Sequence, residues 1–164
     1  MEGFKFRIKY DGSNEVFRDI IMHVDESFND FAKHILLSFK FDLSKEIIFF
    51  KSNEYWQYGR MISEFDYGIE SPVTFLPIKE TRLRNVINQP HQKLIFQYDL
   101  LKKWTFYIEL ISFIPASEMA SVQPFGRMVF SKGEAPQQFV HDDKSPDSLK
   151  DLLQKLNKPE KGLE

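Results

Sequence analysis

Histidine is the side chain best suited to ligate a metal or pass a proton near neutral pH, and this chain has four, His23, His34, His91 and His141. No two stand in the H-x-x-x-H spacing that puts both imidazoles on one helix face, so no helical zinc pair is expected. His141-Asp142-Asp143 brings three ligand-type residues together. Three adjacent side chains in a turn seldom converge on one ion, and the run reads as a solvated acidic loop. The absence of cysteine removes disulfides, thiolate metal sites, iron–sulfur clusters and cysteine nucleophiles. Gly59, Gly68, Gly126 and Gly133 are isolated, so there is no glycine-rich phosphate loop, and no G-x-S-x-G elbow positions a serine. Asp and Glu are scattered, and spacing alone picks no acid–base pair. No catalytic, cofactor-binding or metal-ligating residue is therefore assigned. The chain reads as a binding or structural module, with an enzyme assembled from distant residues as the remaining alternative.

Two groups of residues could bind something. Tyr55, Trp56 and Tyr58 place three aromatics within four positions; on a strand neighbouring side chains point to opposite sides, so they cannot all enter one core. Arg82 and Arg84, with Lys102 and Lys103, could build a basic surface if the fold brought them together. The net charge of −2 lacks the basic excess of a dedicated duplex-binding domain. The expected partner is a protein or small ligand of unknown identity, and nucleic acid is the disfavoured alternative. No apolar run approaches membrane-spanning length, the longest resembling Ile47-Ile48-Phe49-Phe50. The opening MEGFKFRIKY lacks the continuous apolar stretch of a signal peptide. A cytoplasmic protein is expected; its oligomeric state is not written in the sequence.

The elements that would position these residues are legible in the hydrophobic pattern. Phe4, Phe6, Ile8 and Tyr10 alternate with Lys5, Arg7 and Lys9, a half-buried strand. The cluster Asp11-Gly12-Ser13-Asn14 turns the chain into a second strand over 16–24. A turn centred near Ser13 sets Arg7 opposite Asp19, neutralising part of the basic stripe. Ser27 fits a helix N-cap with Asp30 in the first turn, ahead of the apolar stripe Phe28, Phe31, Ala32, Ile35 and Phe39. A buried strand is expected over 46–51.

From Tyr55 to Pro90 the pattern degrades, with Gly68, Pro72 and Pro77 as punctuation and Thr81 as a candidate cap for a short helix carrying Leu83, Val86 and Ile87. Strand character returns over 93–98 and 104–114, a second hairpin that places Trp104, Phe106, Ile108 and Leu110 on one face, with Trp104 in the core. Beyond Pro115 the chain loosens, with a short strand over 128–130. Ser145-Pro146 opens a last helix bearing Leu149, Leu152, Leu153 and Leu156, which either docks on its own domain or forms a dimer stripe. The expected whole is α+β: two β-hairpins in a mainly antiparallel or mixed sheet, packed by an amphipathic helix, with a C-terminal helix. Residues 1–157 form a single domain and 158–164 a flexible tail. The 17 phenylalanines would fill its core or, in part, an exposed partner surface.

In order along the chain, these segments resemble the plasmid ORF-three-like family (pRiA4b type), whose members carry insertion-element passenger or resolvase labels. Glu15-Val16-Phe17-Arg18-Asp19 is similar to the family's second strand and keeps one arginine, Arg18. Phe28-Asn29-Asp30-Phe31-Ala32-Lys33-His34-Ile35 resembles its L-x-D-L-H-x-x-I helix, with Ala32 in the place of histidine. Tyr98, Asp99 and Trp104 match the spacing of its Y-D-F-G-D-D-W hairpin, although Leu101-Lys102-Lys103 replaces the Gly-Asp-Asp turn and reverses its charge. Gly126-Arg127-Met128-Val129, leading to Gly133 and Pro136, resembles the segment before the family's C-terminal helices. The cysteine-rich stretch of many members is missing. The resemblance implies an α+β fold and no defined activity. A recombinase needs several arginines around a Ser or Tyr nucleophile; Arg7, Arg18, Arg60, Arg82, Arg84 and Arg127 are dispersed along this chain.

Overall fold

The alternation at the N-terminus forms β1 (Gly3–Tyr10), which turns into β2 (Phe17–His23). Their register sets Arg7 against Asp19, as a turn centred near Ser13 requires. The computed structural model describes residues 2–12, 15–65, 75–122 and 128–138. The chain divides into two units, Met1–Glu134 and Ala135–Glu164. In the second, the described residues 135–138 are irregular. The elements below belong to the first. The expected helix after Ser145, the His141-Asp142-Asp143 run, the tail 158–164, Gly68, Pro72 and Gly126-Arg127 lie outside the described residues.

After β2 come α1 (Phe28–Ser38), β3 (Ile47–Lys51), β4 (Met61–Ser63), β5 (Leu76–Pro77), a 3-10 turn over Leu83–Asn85, β6 (Lys93–Tyr98), β7 (Trp104–Ile114), α2 (Ala116–Met119) and β8 (Met128–Lys132). The strands form one mixed sheet in the order β5-β4-β3-β6-β7-β1-β2-β8. Every pairing is antiparallel except β4 with β5. Among the described residues the fold is broadly α+β but mostly sheet, with few and short helices. Both expected hairpins are present and adjacent at the centre, joined by β1 pairing with β7.

Between β2 and β3 lie β1, β7 and β6, so the connection carrying α1 must cross about 19 Å of sheet at the usual strand spacing. The 11-residue α1, about 16 Å long, lies over this face with its N-terminus beside Ile78 and Thr81 and its C-terminus at Ser38 beside β2. Ser27 caps it as its sequence requires, Oγ accepting from Asp30 N at 3.1 Å. Phe28, Phe31, Ala32, Ile35 and Leu36 are buried. Phe31 packs on Phe6 at 4.5 Å and on Phe49 at 5.5 Å, and Phe28 meets Phe49 at 5.1 Å between ring centroids. Most of the phenylalanine excess is spent here, on an aromatic core that needs no polar partner.

No basic residue stands in the last turn of α1, so the negative end of the helix dipole needs a cation from elsewhere. Arg18 on β2 supplies it. Only 5% exposed, it donates Nε to Ser38 O at 3.0 Å and Nη1 to Phe17 O and Lys132 O at 2.8 and 2.9 Å. Its guanidinium lies 4.8 Å from the Phe39 ring centroid. One side chain thus ties the helix exit to β2 and β8.

Three expectations are corrected. Trp104 is only half-buried, because β7 begins there, past the end of α1, leaving Phe41 and Tyr10 as its ring neighbours. The short helix after Thr81 is a 3-10 turn whose cap position is Arg82, its N–H donating to Asn85 Oδ1 at 3.1 Å; Thr81 is buried and accepts from Phe28 N at 3.1 Å. The chain beyond Pro115 is not wholly loose: α2 places Met119 and Val122 on Ile21.

Arg18→Leu leaves three carbonyls without their donor and should cost about 3–5 kcal/mol, since each orphaned acceptor costs about 1–3; a urea midpoint within error of wild type would contradict the anchoring role. Burial lowers the His34 pKa, Lys33 adding to the effect and Asp30 opposing it. The unfolded chain therefore takes up this proton first as pH falls, and stability declines below the unfolded value of about 6.5. His34→Gln should flatten that decline in urea midpoints measured between pH 7.5 and 5.5.

Candidate interaction surface

The face opposite α1 carries the alternate residues of each strand. At its centre Arg7 grips Asp19 with two bonds of 2.9 and 3.0 Å and stands opposite Glu109 across the sheet. The Asp19 carboxylate holds the Arg7 pKa above its usual value. Glu109 in turn meets His91 Nδ1 at 3.1 Å and Lys93 Nζ at 3.9 Å. Opposite charges thus alternate across four strands, β2, β1, β7 and β6, as cross-strand pairing favours. Arg7 also lies 4.3 Å from the Phe17 ring centroid, and Phe17 stacks on Phe130 at 5.7 Å.

Beside this row lies an apolar cluster of Ile48, Phe50, Met61 and Ile95, on which Trp56 and Tyr107 pack. Trp56 comes from the loop between β3 and β4, and Asn53 builds that loop. Its Oδ1 accepts from Tyr55 N and Gln57 N at 2.9 and 3.2 Å, and its Nδ2 donates to Gln57 Oε1 at 2.6 Å. Ser52 Oγ donates to Gln57 O at 2.7 Å. This frame holds Trp56 at φ 58°, a left-handed conformation uncommon for a bulky side chain. The indole sits 4.8 Å from the Tyr107 ring, with Lys93 Nζ 5.5 Å from its centroid. Tyr55 and Tyr58 are 75% and 53% exposed. Tyr58 rests edge-on against Phe50 at 4.9 Å and its hydroxyl accepts from Gln97 Nε2 at 3.1 Å.

The four basic residues do not converge. Arg84 pairs with Asp25 through Nε, and Arg82 Nη1 lies 3.9 Å from the same carboxylate. Arg84 N bonds Val24 O, just past the end of β2, which lies level with Ile114. Lys102 and Lys103 occupy the turn at the other end of β7. Ten strand residues separate those levels, about 33 Å.

The residues that match the family pattern gather around the chain leaving α1. Tyr98 is fully buried, donates its hydroxyl to Asp42 and accepts from Lys45 N at 3.0 Å. Burial first, and the Asp42 carboxylate second, raise its phenol pKa, so it remains a donor. Asp99, at φ 68°, turns the second hairpin, a conformation Asp tolerates well. Its Oδ1 accepts from Leu101 N and Lys102 N at 3.1 and 3.4 Å. Trp104 packs on Phe41 at 4.9 Å, and its buried Nε1 has no hydrogen-bond partner among the described residues. With Arg18 at Ser38 and Phe39, this set fixes residues 38–45 and the turn beside them.

Spacing did not single out Asn53, Lys93, Gln97 or Tyr107 as parts of the aromatic face. Tyr107 and Lys93 were accessible to alternation along their strands, whereas their meeting with Trp56 depends on the β3–β6–β7 register. His23 and Glu26, three residues apart, meet through the backbone, His23 N donating to Glu26 Oε2 at 2.9 Å. Among the described residues no three His, Asp or Glu side chains gather as a metal site, and no helix is long and apolar enough to cross a membrane.

The family model of plasmid pRiA4b ORF-3-like proteins matches residues 2–162. A crystal structure of a protein of unknown function from Methanosarcina mazei Go1 has the same fold, with TM-score 0.69 at 14% identity over 93% of this chain and 82% of that one. No curated protein matches the sequence.

Trp104→Ala should cost about 3 kcal/mol as a large aromatic deletion. Trp104→Phe, which removes only the unpartnered N–H end of the ring, should cost under about 1.5 kcal/mol. Equal losses in urea midpoints would mean that the indole nitrogen has a bonding role.

Proposed function

The chain belongs to the plasmid pRiA4b ORF-3-like family, and on that premise we propose that it is a non-catalytic interaction module that binds a protein partner through the aromatic loop of residues 52–59. One observation carries this reading. Tyr55 stands in solvent and Tyr58, resting on Phe50, leaves about half its surface exposed, on a loop whose backbone is already fixed by Asn53 and Ser52. Tyrosine offers a large amphipathic contact for few rotatable bonds, and a preformed loop loses little entropy on binding. Trp56 and Tyr107 supply the apolar floor and Gln97 and Lys93 the polar rim of such a contact. A cytoplasmic setting and an association with mobile elements belong to the same proposal. Arg82 and Arg84 already face a carboxylate and lie far from Lys102 and Lys103, which supports a protein over a nucleic acid as partner.

Affinity capture from the native host's lysate tests this when wild type, Tyr55→Ala/Tyr58→Ala and Lys102→Glu/Lys103→Glu are compared. The tyrosine variant should lose a specific protein that the lysine variant retains, with the lysine variant within about 0.5 kcal/mol of wild-type stability, as for surface substitutions, and the tyrosine variant, which loses the Tyr58 contacts with Phe50 and Gln97, still unfolding cooperatively in urea. Retention by the tyrosine variant would sink the aromatic reading. Loss by the lysine variant, together with captured RNA or DNA that survives about 200 mM salt, would replace it with nucleic-acid binding.

A further inference from the structure

At the end of β3 remote from the Ile48–Ser63 pair, Ser52 N donates to Lys93 O at 3.1 Å, so the 52–57 loop and the 88–92 turn leave the sheet side by side. Each is pinned by one amide side chain. Asn53 holds the loop. In the turn, Gln92 Oε1 accepts from Asn88 N and Gln89 N at 2.8 and 3.2 Å, and its Nε2 donates to Val86 O at 2.8 Å. Between the two segments lies an open pocket of about 550 Å³. Its two basic lining residues are already engaged, Lys93 by Glu109 and the Trp56 ring and His91 by Glu109. Glu54 differs. It is exposed and lines the same pocket, and its carboxylate has no hydrogen-bond or ion-pair partner among the described residues. The Gln89 side chain, on the opposing turn, is likewise unpaired among the described residues. Ser52 Oγ donates to Gln57 O and keeps its lone pairs. The unused hydrogen-bonding capacity of this pocket is therefore mainly that of an acceptor.

We propose that this pocket receives an arginine side chain of the protein partner, its guanidinium paired with Glu54 and Gln89 and its plane against the exposed Tyr55 ring. The inference rests on the reading of the 52–59 loop as a docking surface and adds the chemistry of what docks there. Guanidinium carries five donors in a planar fork and no acceptor, which matches a carboxylate flanked by amide and hydroxyl oxygens. Tyr55, next in the chain and largely in solvent, offers a π-face to the same cation. Arginine and tyrosine are also among the side chains that concentrate binding energy at interfaces. An anionic ligand is disfavoured, because Lys93 and His91 would have to leave Glu109 to meet it and Glu54 would repel it. Both walls are held before any ligand arrives, so little ordering is required on binding.

Amide shifts of the full chain in NMR, titrated with capped tripeptides Ala-Arg-Ala, Ala-Lys-Ala and Ala-citrulline-Ala, test the pocket without the partner. The arginine peptide should shift the amides of residues 53, 54, 55 and 89. The uncharged citrulline peptide should bind about fivefold more weakly, and the lysine peptide about threefold, since it lacks the fork. Glu54→Gln should weaken the arginine peptide about fivefold and leave the urea midpoint unchanged, because the carboxylate holds nothing else among the described residues. In lysate capture, Glu54→Lys should lose the same protein that Tyr55→Ala/Tyr58→Ala loses. Equal binding of the three peptides, arginine-peptide affinity unchanged in Glu54→Gln, or a protein kept by Glu54→Lys but lost by the tyrosine variant would overturn the arginine assignment and leave the aromatic docking reading intact. Retention of every captured protein by the tyrosine variant would remove both, because the arginine is assigned to that partner.

Discussion

The packing of α1 across the sheet, and its exit past Arg18, is the constraint on which the remaining structure rests. Its aromatic stripe fills the space over β1, β3, β6 and β7, where Phe6, Phe49, Phe96 and Phe106 are all fully buried. The helix begins beside Ile78 and Thr81 and ends at Ser38 beside Arg18 of β2, where the negative end of its dipole falls. Arg18 meets that end with a charge that cannot be removed near neutral pH. Burial lowers its pKa, but three carbonyls satisfy its donors, which is the condition under which a buried charge is tolerated.

The same region gives the family-like residues a physical meaning. Arg18, Tyr98, Asp99 and Trp104 look in sequence like a dispersed signature that could mark a site. In the fold, Arg18, Tyr98 and Trp104 surround residues 38–45, and Asp99 turns the hairpin between the latter two. Tyr98 is bonded at its hydroxyl, Asp99 at its backbone and carboxylate, and Arg18 by all three contacts. Their common task is to fix a connection, and the replacement of an acidic turn by Leu101-Lys102-Lys103 is tolerated because the Asp99 side chain itself builds the turn.

The opposite face is organised by charge and loop chemistry. The row from Asp19 through Arg7 to Glu109 absorbs the basic stripe of β1 into alternating pairs, so that face is less cationic than Lys5, Arg7 and Lys9 imply in isolation. Next to it, an asparagine turn rather than a strand presents the aromatics. That difference accounts for how Trp56 can pack on the sheet while Tyr55 points into solvent and Tyr58 lies half-exposed against Phe50.

The sequence by itself determined the long elements and their local registers. Alternation over Phe4–Tyr10, Lys93–Tyr98 and Trp104–Ile114, the cap at Ser27 and the turn near Ser13 are local signals, read from periods of two and 3.6 and from turn residues. They sufficed to place Arg7 against Asp19. The three-residue β4, the two-residue β5 and the four-residue α2 were not legible, because such short segments carry no period and form only where longer neighbours supply hydrogen bonds or an apolar surface. The half-burial of Trp104, the separation of Lys102 and Lys103 from Arg82 and Arg84, and the meeting of the 52–57 loop with the 88–92 turn were decided by tertiary structure alone. Each depends on strand order and on where α1 ends, and those are set by non-local packing across the whole sheet.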